Sequence, residues 1–198
     1  MITTFLFDLG GVLFTNGTKK FIKQISETYN LLEEQVKDII DGEIGSLYRE
    51  SKITRDEFWK RVIERLGLKE DADTLEKQWI DGYEMFEKTK SIIEKLKNKY
   101  DLYYLSDNVK ERVEALDNKF AFIKLFKGGI FSHEVGVRKP NPKIYEYALE
   151  KANSKPEETI FIDDKEKMLL PAQQMGLKTI LFISPEELEE ILLKDGLI

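Results

Sequence analysis

The sequence predicts an α/β protein: a doubly wound, Rossmann-like parallel sheet carrying a small inserted helical subdomain. Three observations lead there. Short apolar runs rich in β-branched and aromatic residues alternate with helix-periodic segments along most of the chain. Most of these runs lack strict apolar–polar alternation, which is how strands covered on both faces read. Residues 16–83 break the pattern with helical segments alone.

The first strand is expected over residues 2–8, "ITTFLFD", which closes on Asp8 ahead of Gly10 and Gly11. Four more runs follow: "DLYYLSD" (101–107), "GGIFSHEV" (128–135), "TIFIDD" (159–164) and "KTILFI" (178–183), each bounded by turn formers or charges. Between them lie helical segments. Residues 88–100 put Ile92, Ile93 and Leu96 on one face, and residues 141–153 carry Pro142 near their start with Ile144, Tyr145, Ala148 and Leu149 at helical spacing. Residues 167–177 and 184–196 complete the set, the last opening on Ser184 and Pro185 with Gly196 near its end. Strand–helix alternation of this kind implies right-handed βαβ crossovers.

In the insertion, "TKKFIKQISETYN", "LEEQVKDIIDG", "TRDEFWKRVIERLG" and "ADTLEKQWIDGYEMF" are all amphipathic at the 3.6-residue period. Thr54 and Glu57 form a capping-box pattern ahead of Phe58 and Trp59. The expected division is a core of residues 1–15 and 84–198 with a helical cap of residues 16–83. Within the cap, Trp59 and Trp79 read as core, while Tyr48 and Arg49 are able to face a ligand. Phe120, Phe122, Leu125 and Phe126 read as packing between core elements.

Composition narrows the chemistry. The 198 residues are 41% hydrophobic and 34% charged, as in a folded domain with a sizeable core. A net charge of −6 argues against a nucleic-acid footprint. There is no cysteine and one histidine, His133, which reads as structural. Thiolate metal sites, cysteine nucleophiles and histidine-cluster sites are thereby excluded, and oxygen ligands must hold any metal. The N-terminal run lacks a basic leading region and is interrupted by Asp8, and no stretch approaches 18 apolar residues. A cytoplasmic protein without membrane or nucleic-acid partners, monomeric or homodimeric, is expected.

Polar groups gather where strands should end, and in an open parallel sheet those ends surround one crevice. Asp8 ends the first strand, Ser106 and Asp107 the second, Asp163 and Asp164 the fourth, and Lys139 lies in the loop "GVRKPNP". Carboxylates from different strands suit a hard cation such as Mg²⁺. A hydroxyl and an ammonium suit phosphoryl oxygens, and Gly10 and Gly11 let backbone amides turn toward the same group.

The order "FDLGGV", "LYYLSDN", "VGVRKPNPKIY", "TIFIDD" resembles the haloacid dehalogenase-like hydrolase superfamily over essentially the whole chain, and the helical insertion resembles its cap. The resemblance implies a Mg²⁺-dependent phosphatase acting on a small phosphorylated metabolite, a sugar phosphate or nucleotide. Asp8 would be the nucleophile, Ser106 would bind the transferring phosphoryl group, and Lys139 would offset the charge of both. Asp8, the Gly10 carbonyl and Asp164 would hold the metal; Leu9, Gly10, Ser106, Asp107 and Lys139 would line the substrate. The sequence departs from the family in three places. Gly10 replaces the usual acid–base aspartate, Asp107 stands where asparagine often follows the serine, and Met168 replaces a polar residue that often supports the metal. Two alternatives follow: a weak or inactive member that binds a phosphorylated ligand or a protein, and a metal-free 2-haloacid dehalogenase. A two-component receiver is set aside, because the insertion after the first strand does not fit one.

Overall fold

Strands buried on both faces need cover on both sides, and the arrangement of elements supplies it. The computed structural model describes all 198 residues. In chain order these form β1 (Thr4–Phe7), α1 (Gly17–Tyr29), α2 (Glu33–Ile40), α3 (Glu43–Arg49), α4 (Arg55–Leu66), α5 (Ala72–Asp81), α6 (Glu87–Leu96), β2 (Asp101–Ser106) and α7 (Lys110–Phe120). Then come β3 (Gly128–Phe131), α8 (Ser132–Val135), α9 (Pro142–Ala152), β4 (Thr159–Asp163), α10 (Glu166–Gln174), β5 (Lys178–Leu181) and α11 (Pro185–Lys194). All five strands are parallel, in the order β3-β2-β1-β4-β5.

The period of two along each strand sorts the core into two layers. Phe5, Phe7, Leu102, Tyr104, Ile160 and Ile162 face α6 (Ile92, Ile93, Leu96) and α11 (Leu188, Leu192). Leu6, Leu105, Ile130 and Phe161 face α9 (Ile144, Tyr145, Ala148) and α10 (Leu169, Ala172). The sheet is therefore doubly wound, as expected. Local capping fixes the helix starts: the Asn141 side chain accepts from Lys143 N at 3.0 Å and Ser184 Oγ accepts from Glu187 N at 3.1 Å. Each such cap contributes about 1 kcal/mol.

The strand expected over 128–135 is shorter than its composition suggests. It stops at Phe131, and residues 132–135 turn into α8. The reason is that Ser132, fully buried, bonds Asn108 N and the Arg49 carbonyl instead of a neighbouring strand. His133 belongs to this turn; its ring lies 5.5 Å from Phe131 and Nδ1 bonds the Asn108 carbonyl.

Residues 17–81 hold five helices and no strand. An aromatic cluster forms their centre: Phe21 stacks on Trp79 at 5.0 Å, Trp59 meets Trp79 edge-on at 5.9 Å, and Tyr48 stacks on Phe58 at 4.5 Å. Both tryptophans are 1% exposed, so they are core. The two chain crossings between these helices and the sheet lie side by side. Thr15 N donates to Glu84 O at 2.8 Å and Phe86 N to Leu13 O at 2.8 Å. Phe14, at this junction, packs 5.3 Å from Phe122 and 6.4 Å from Tyr83, joining the helical core to that of the sheet.

Candidate active site

β1 is the central strand, and its register decides where Asp8 lies. Phe7 pairs with Tyr104 of β2 and Ile162 of β4, so Asp8 emerges level with Asp163 at the carboxyl edge of the sheet. Its amide donates to Ile162 O at 2.9 Å. Ser106 ends β2 one strand away, and Lys139 reaches in from the loop between α8 and α9.

Lys139 is the hub. Its Nζ lies 2.9 Å from Asp8 Oδ1, 2.6 Å from Asp163 Oδ2 and 3.1 Å from the Leu105 carbonyl, with its side chain 3% exposed. Burial alone would lower its pKa, but Asp163 and then Asp8 outweigh burial and hold it above the ordinary lysine value. The ammonium is charged. Burial pushes Asp163 up to about 7 against the pull of Lys139, with Asp8 adding repulsion. Asp164 is likewise raised, by burial first and then by Asp8.

One carboxylate oxygen from each of Asp8, Asp163 and Asp164 lies within 4.8 Å of the other two. Three carboxylates thus face one ammonium, and Asp164 Oδ1 is buried without any hydrogen-bond partner. An orphaned, desolvated carboxylate oxygen is costly to leave so. The donor set is all oxygen and over-supplied with negative charge, which fits a divalent cation such as Mg²⁺. The sequence points to Asp8 and Asp164 for such a site; Asp163 belongs to the same cluster, tied to Lys139 and accepting from Lys165 N at 2.9 Å.

The paired glycines have different reasons to be there. Gly11 sits at φ +98, and a Cβ on it would collide with the Asp164 carboxylate. Gly10 faces open space, where a Cβ would meet nothing within 4 Å. Gly11→Ala is therefore expected to destabilise by about 1–2 kcal/mol from the left-handed backbone alone. That corresponds to roughly 2–8 °C in Tm for a chain of this size, read by thermal unfolding. A Tm within a degree of the parent would show that the loop has another low-energy path.

Above the cluster lies a cavity of about 600 Å³, lined from the sheet side by Asp8, Leu9, Gly10, Ser106, Asp107 and Lys139. Met168 also lines it. Helices α1 and α2 close the far side through Thr18, Lys19, Ile22 and Lys37. Asp107 does not present a bare charge to this space. Its Oδ1 accepts from Lys139 N at 3.0 Å and its Oδ2 lies 3.3 Å from Arg138 Nε. Of the two helical residues expected to face a ligand, Arg49 lines the cavity, whereas Tyr48 turns away to donate to Glu111 Oε2 at 2.9 Å. Asn108 and Arg112, both buried, line the cavity as well, and neither stands out in the sequence. Arg112 sits four residues after Asn108, a helical spacing that is the one signal able to bring the two together.

A doubly wound sheet with strand-end carboxylates, a buried lysine and an inserted helical layer defines a class of hydrolase. The chain belongs to the haloacid dehalogenase-like hydrolase family, which it matches over residues 2–176. Among curated relatives, it is 30% identical over 183 residues to a sesquiterpene phosphatase of Aspergillus oryzae, covering 89% of each chain. It is 24% identical over 195 residues to a D-ribitol-5-phosphate phosphatase of Bacteroides thetaiotaomicron, covering 90% of this chain and 91% of that one. A HAD family enzyme of Bacteroides thetaiotaomicron, solved in complex with magnesium and inorganic phosphate, superposes with a TM-score of 0.76 at 28% identity. That match covers 91% of this chain and 94% of the other.

Proposed function

We propose that this protein is a Mg²⁺-dependent hydrolase of a small phosphomonoester, a sugar phosphate or nucleotide, acting through an aspartyl-phosphate on Asp8, with residues 16–83 as its cap. The observation that carries the reading is Asp8, Lys139 and Asp163 at the floor of the cavity, with Asp164 clustered beside them and one of its buried carboxylate oxygens unpartnered. The phosphatase relatives and the magnesium–phosphate complex of the similar enzyme support it.

Asp8, Asp164 and the Gly10 carbonyl would hold the metal. Bound there, Mg²⁺ supplies charge stabilisation to phosphoryl oxygens and orients them for in-line attack. The chain's own residues do the rest. An Asp8 carboxylate oxygen attacks phosphorus, the bond from phosphorus to the ester oxygen breaks, and the leaving alkoxide takes a proton from solvent. Water then attacks the phosphorus of the aspartyl-phosphate and gives up a proton to solvent, the bond to the Asp8 oxygen breaks, and phosphate leaves with the carboxylate restored. Ser106 binds the transferring group, and Lys139 offsets charge on nucleophile and phosphoryl oxygens throughout.

The test is a phosphomonoester panel with Mg²⁺, scored by phosphate release with and without a chelator. Release unaffected by chelation would overturn the metal-dependent reading. Gly10 gives the panel a second use. No carboxyl stands two residues after Asp8 to protonate a leaving alkoxide, and such help is usually worth roughly 10²–10⁴-fold. Aryl phosphates, whose leaving groups need no acid, should therefore outrun alkyl phosphates. Because the space beside Gly10 is open, Gly10→Asp should narrow that gap by about 10²-fold, the low end of that range. An unchanged ratio would mean that the proton comes from another group.

The dehalogenase alternative meets a structural objection. A metal-free mechanism gives the orphaned Asp164 carboxylate nothing to do. Incubation with 2-chloropropionate is expected to release no chloride above background; steady release would reverse the ranking.

A further inference from the structure

The protein carries a net charge of −6, yet the cavity outside the Asp8–Lys139–Asp163 cluster is lined by six cationic side chains against four carboxylates. Half of those cations are arginines with little freedom to move. Arg49, from α3, is 5% exposed; Arg112, from α7, is 3% exposed; Arg138 has a side-chain exposure of 19%. Two of them are positioned by neutral or aromatic groups as much as by acids. Arg112 lies 3.9 Å over the face of Trp79 with Nη1 3.4 Å from Asn108 Oδ1. Arg138 Nη1 donates to Ser46 Oγ at 2.6 Å, while its Nε faces Asp107.

Arg49 is the least satisfied. Nη2 pairs with Asp41 Oδ1 at 3.0 Å, but Nη1 is buried with no hydrogen-bond partner. Gly45, one turn earlier on α3, leaves its place: a Cβ there would come within 2.7 Å of Nη1. The carbonyl of Arg49 accepts from buried Ser132 Oγ at 2.7 Å, which ties the end of α3 to the turn after β3. Arg49, Arg112 and Arg138 line the same cavity, and burial disfavours the charge of Arg49, Asp41 favours it, and Arg112 and Arg138 both repel it. Two acids, Asp41 and Asp107, answer three arginines. Such an excess of buried guanidinium charge is relieved by an anion, which arginine binds through paired N–H donors.

We propose that Arg49, Arg112 and Arg138 form a second anion subsite, so that the preferred substrate is a phosphomonoester bearing a second anionic group, a phosphate or a carboxylate. This inference rests on the phosphatase reading. One end of the ligand occupies the Asp8 cluster, and the other meets the arginines beneath the helical layer. Neutral sugar phosphates of similar size lack the second charge and leave the arginines unanswered.

Two matched pairs test it: 3-phosphoglycerate against glycerol 1-phosphate, and glucose 1,6-bisphosphate against glucose 6-phosphate. The expected result is at least a tenfold higher kcat/KM for the second-anion member in one pair, which also says whether carboxylate or phosphate is read. In Arg49→Gln that ratio should fall to within about twofold of one, with Arg49→Lys intermediate because a lysine keeps charge without the planar fork. A parent ratio of one or less in both pairs overturns the inference, as does a ratio that Arg49→Gln leaves unchanged. The parent ratios need no variant to fold. If none of the four compounds is hydrolysed, calorimetric titration of each into the parent protein with Mg²⁺ separates the two readings. Tighter binding of the second-anion member keeps the subsite while the phosphatase reading fails, and equal binding or none overturns the subsite.

Discussion

Asp8→Asn is expected to abolish phosphate release, with kcat falling on the order of 10⁶-fold, the loss seen when a covalent nucleophile is removed. An amide of the same shape fills the same space, so the change removes the attacking oxygen and one negative donor from the cluster and little else. Lys139 keeps Asp163 at 2.6 Å and the Leu105 carbonyl at 3.1 Å, and Asp8 N keeps its bond to Ile162 O. The variant should therefore fold, with circular dichroism and thermal unfolding close to the parent. A second readout separates nucleophile from bystander. Acid-quenched parent enzyme, trapped during turnover of a phosphorus-labelled substrate, should retain one labelled phosphoryl group per chain, and Asp8→Asn none. Activity within tenfold of the parent would remove Asp8 from the nucleophile's role, whatever the site geometry suggests.

The legibility of this fold in its sequence follows from how each element is buried. Strands such as "TFLF" and "TIFID" are buried at every position, so an unbroken apolar run announces them. α7 is hidden in the sequence, because its buried face is made of Arg112, Val113 and Leu116, and an arginine counts as polar in any periodicity. The same residue then supplies a cavity wall, so missing the helix means missing part of the site. α3 is obscure for a similar reason: it is seven residues long, and its buried set includes Gly45 and Arg49.

Catalytic candidates at strand ends are easier to see. Polar groups closing apolar runs stand out: Asp8, Ser106 and Lys139 line one cavity, and Asp164 clusters with Asp8. What a sequence does not show is pairing. Asp107 reads there only as a replacement for the usual asparagine, yet Arg138 and the Lys139 amide engage it. The sequence singles out Asp164 and gives Asp163 no role; the structure pairs Asp163 with Lys139 and leaves Asp164 Oδ1 without a hydrogen-bond partner.

Lys139→Met should cost both stability and activity, and the two losses have one origin. A methionine nearly matches the buried volume but removes the ammonium that lies 2.9 Å from Asp8 and 2.6 Å from Asp163. Three clustered carboxylates then remain with no cation among them. Breaking a buried ion pair from one side costs about 3–5 kcal/mol, chiefly because the surviving charges stay desolvated. For a chain of 198 residues that is a fall in Tm of roughly 6–20 °C, at about 2–4 °C per kcal/mol. Phosphate release should fall about 10²–10³-fold, the usual cost of losing one preorganised charge-stabilising group. Magnesium distinguishes this account from a simple packing defect. A ligand that binds only the folded state raises Tm by mass action, and it raises it more when it answers a charge the protein has lost. Millimolar Mg²⁺ should thus recover more Tm in Lys139→Met than it adds to the parent, whereas a packing defect would leave the two increments equal. Equal increments together with full activity would mean that Lys139 does not offset the carboxylate cluster at all.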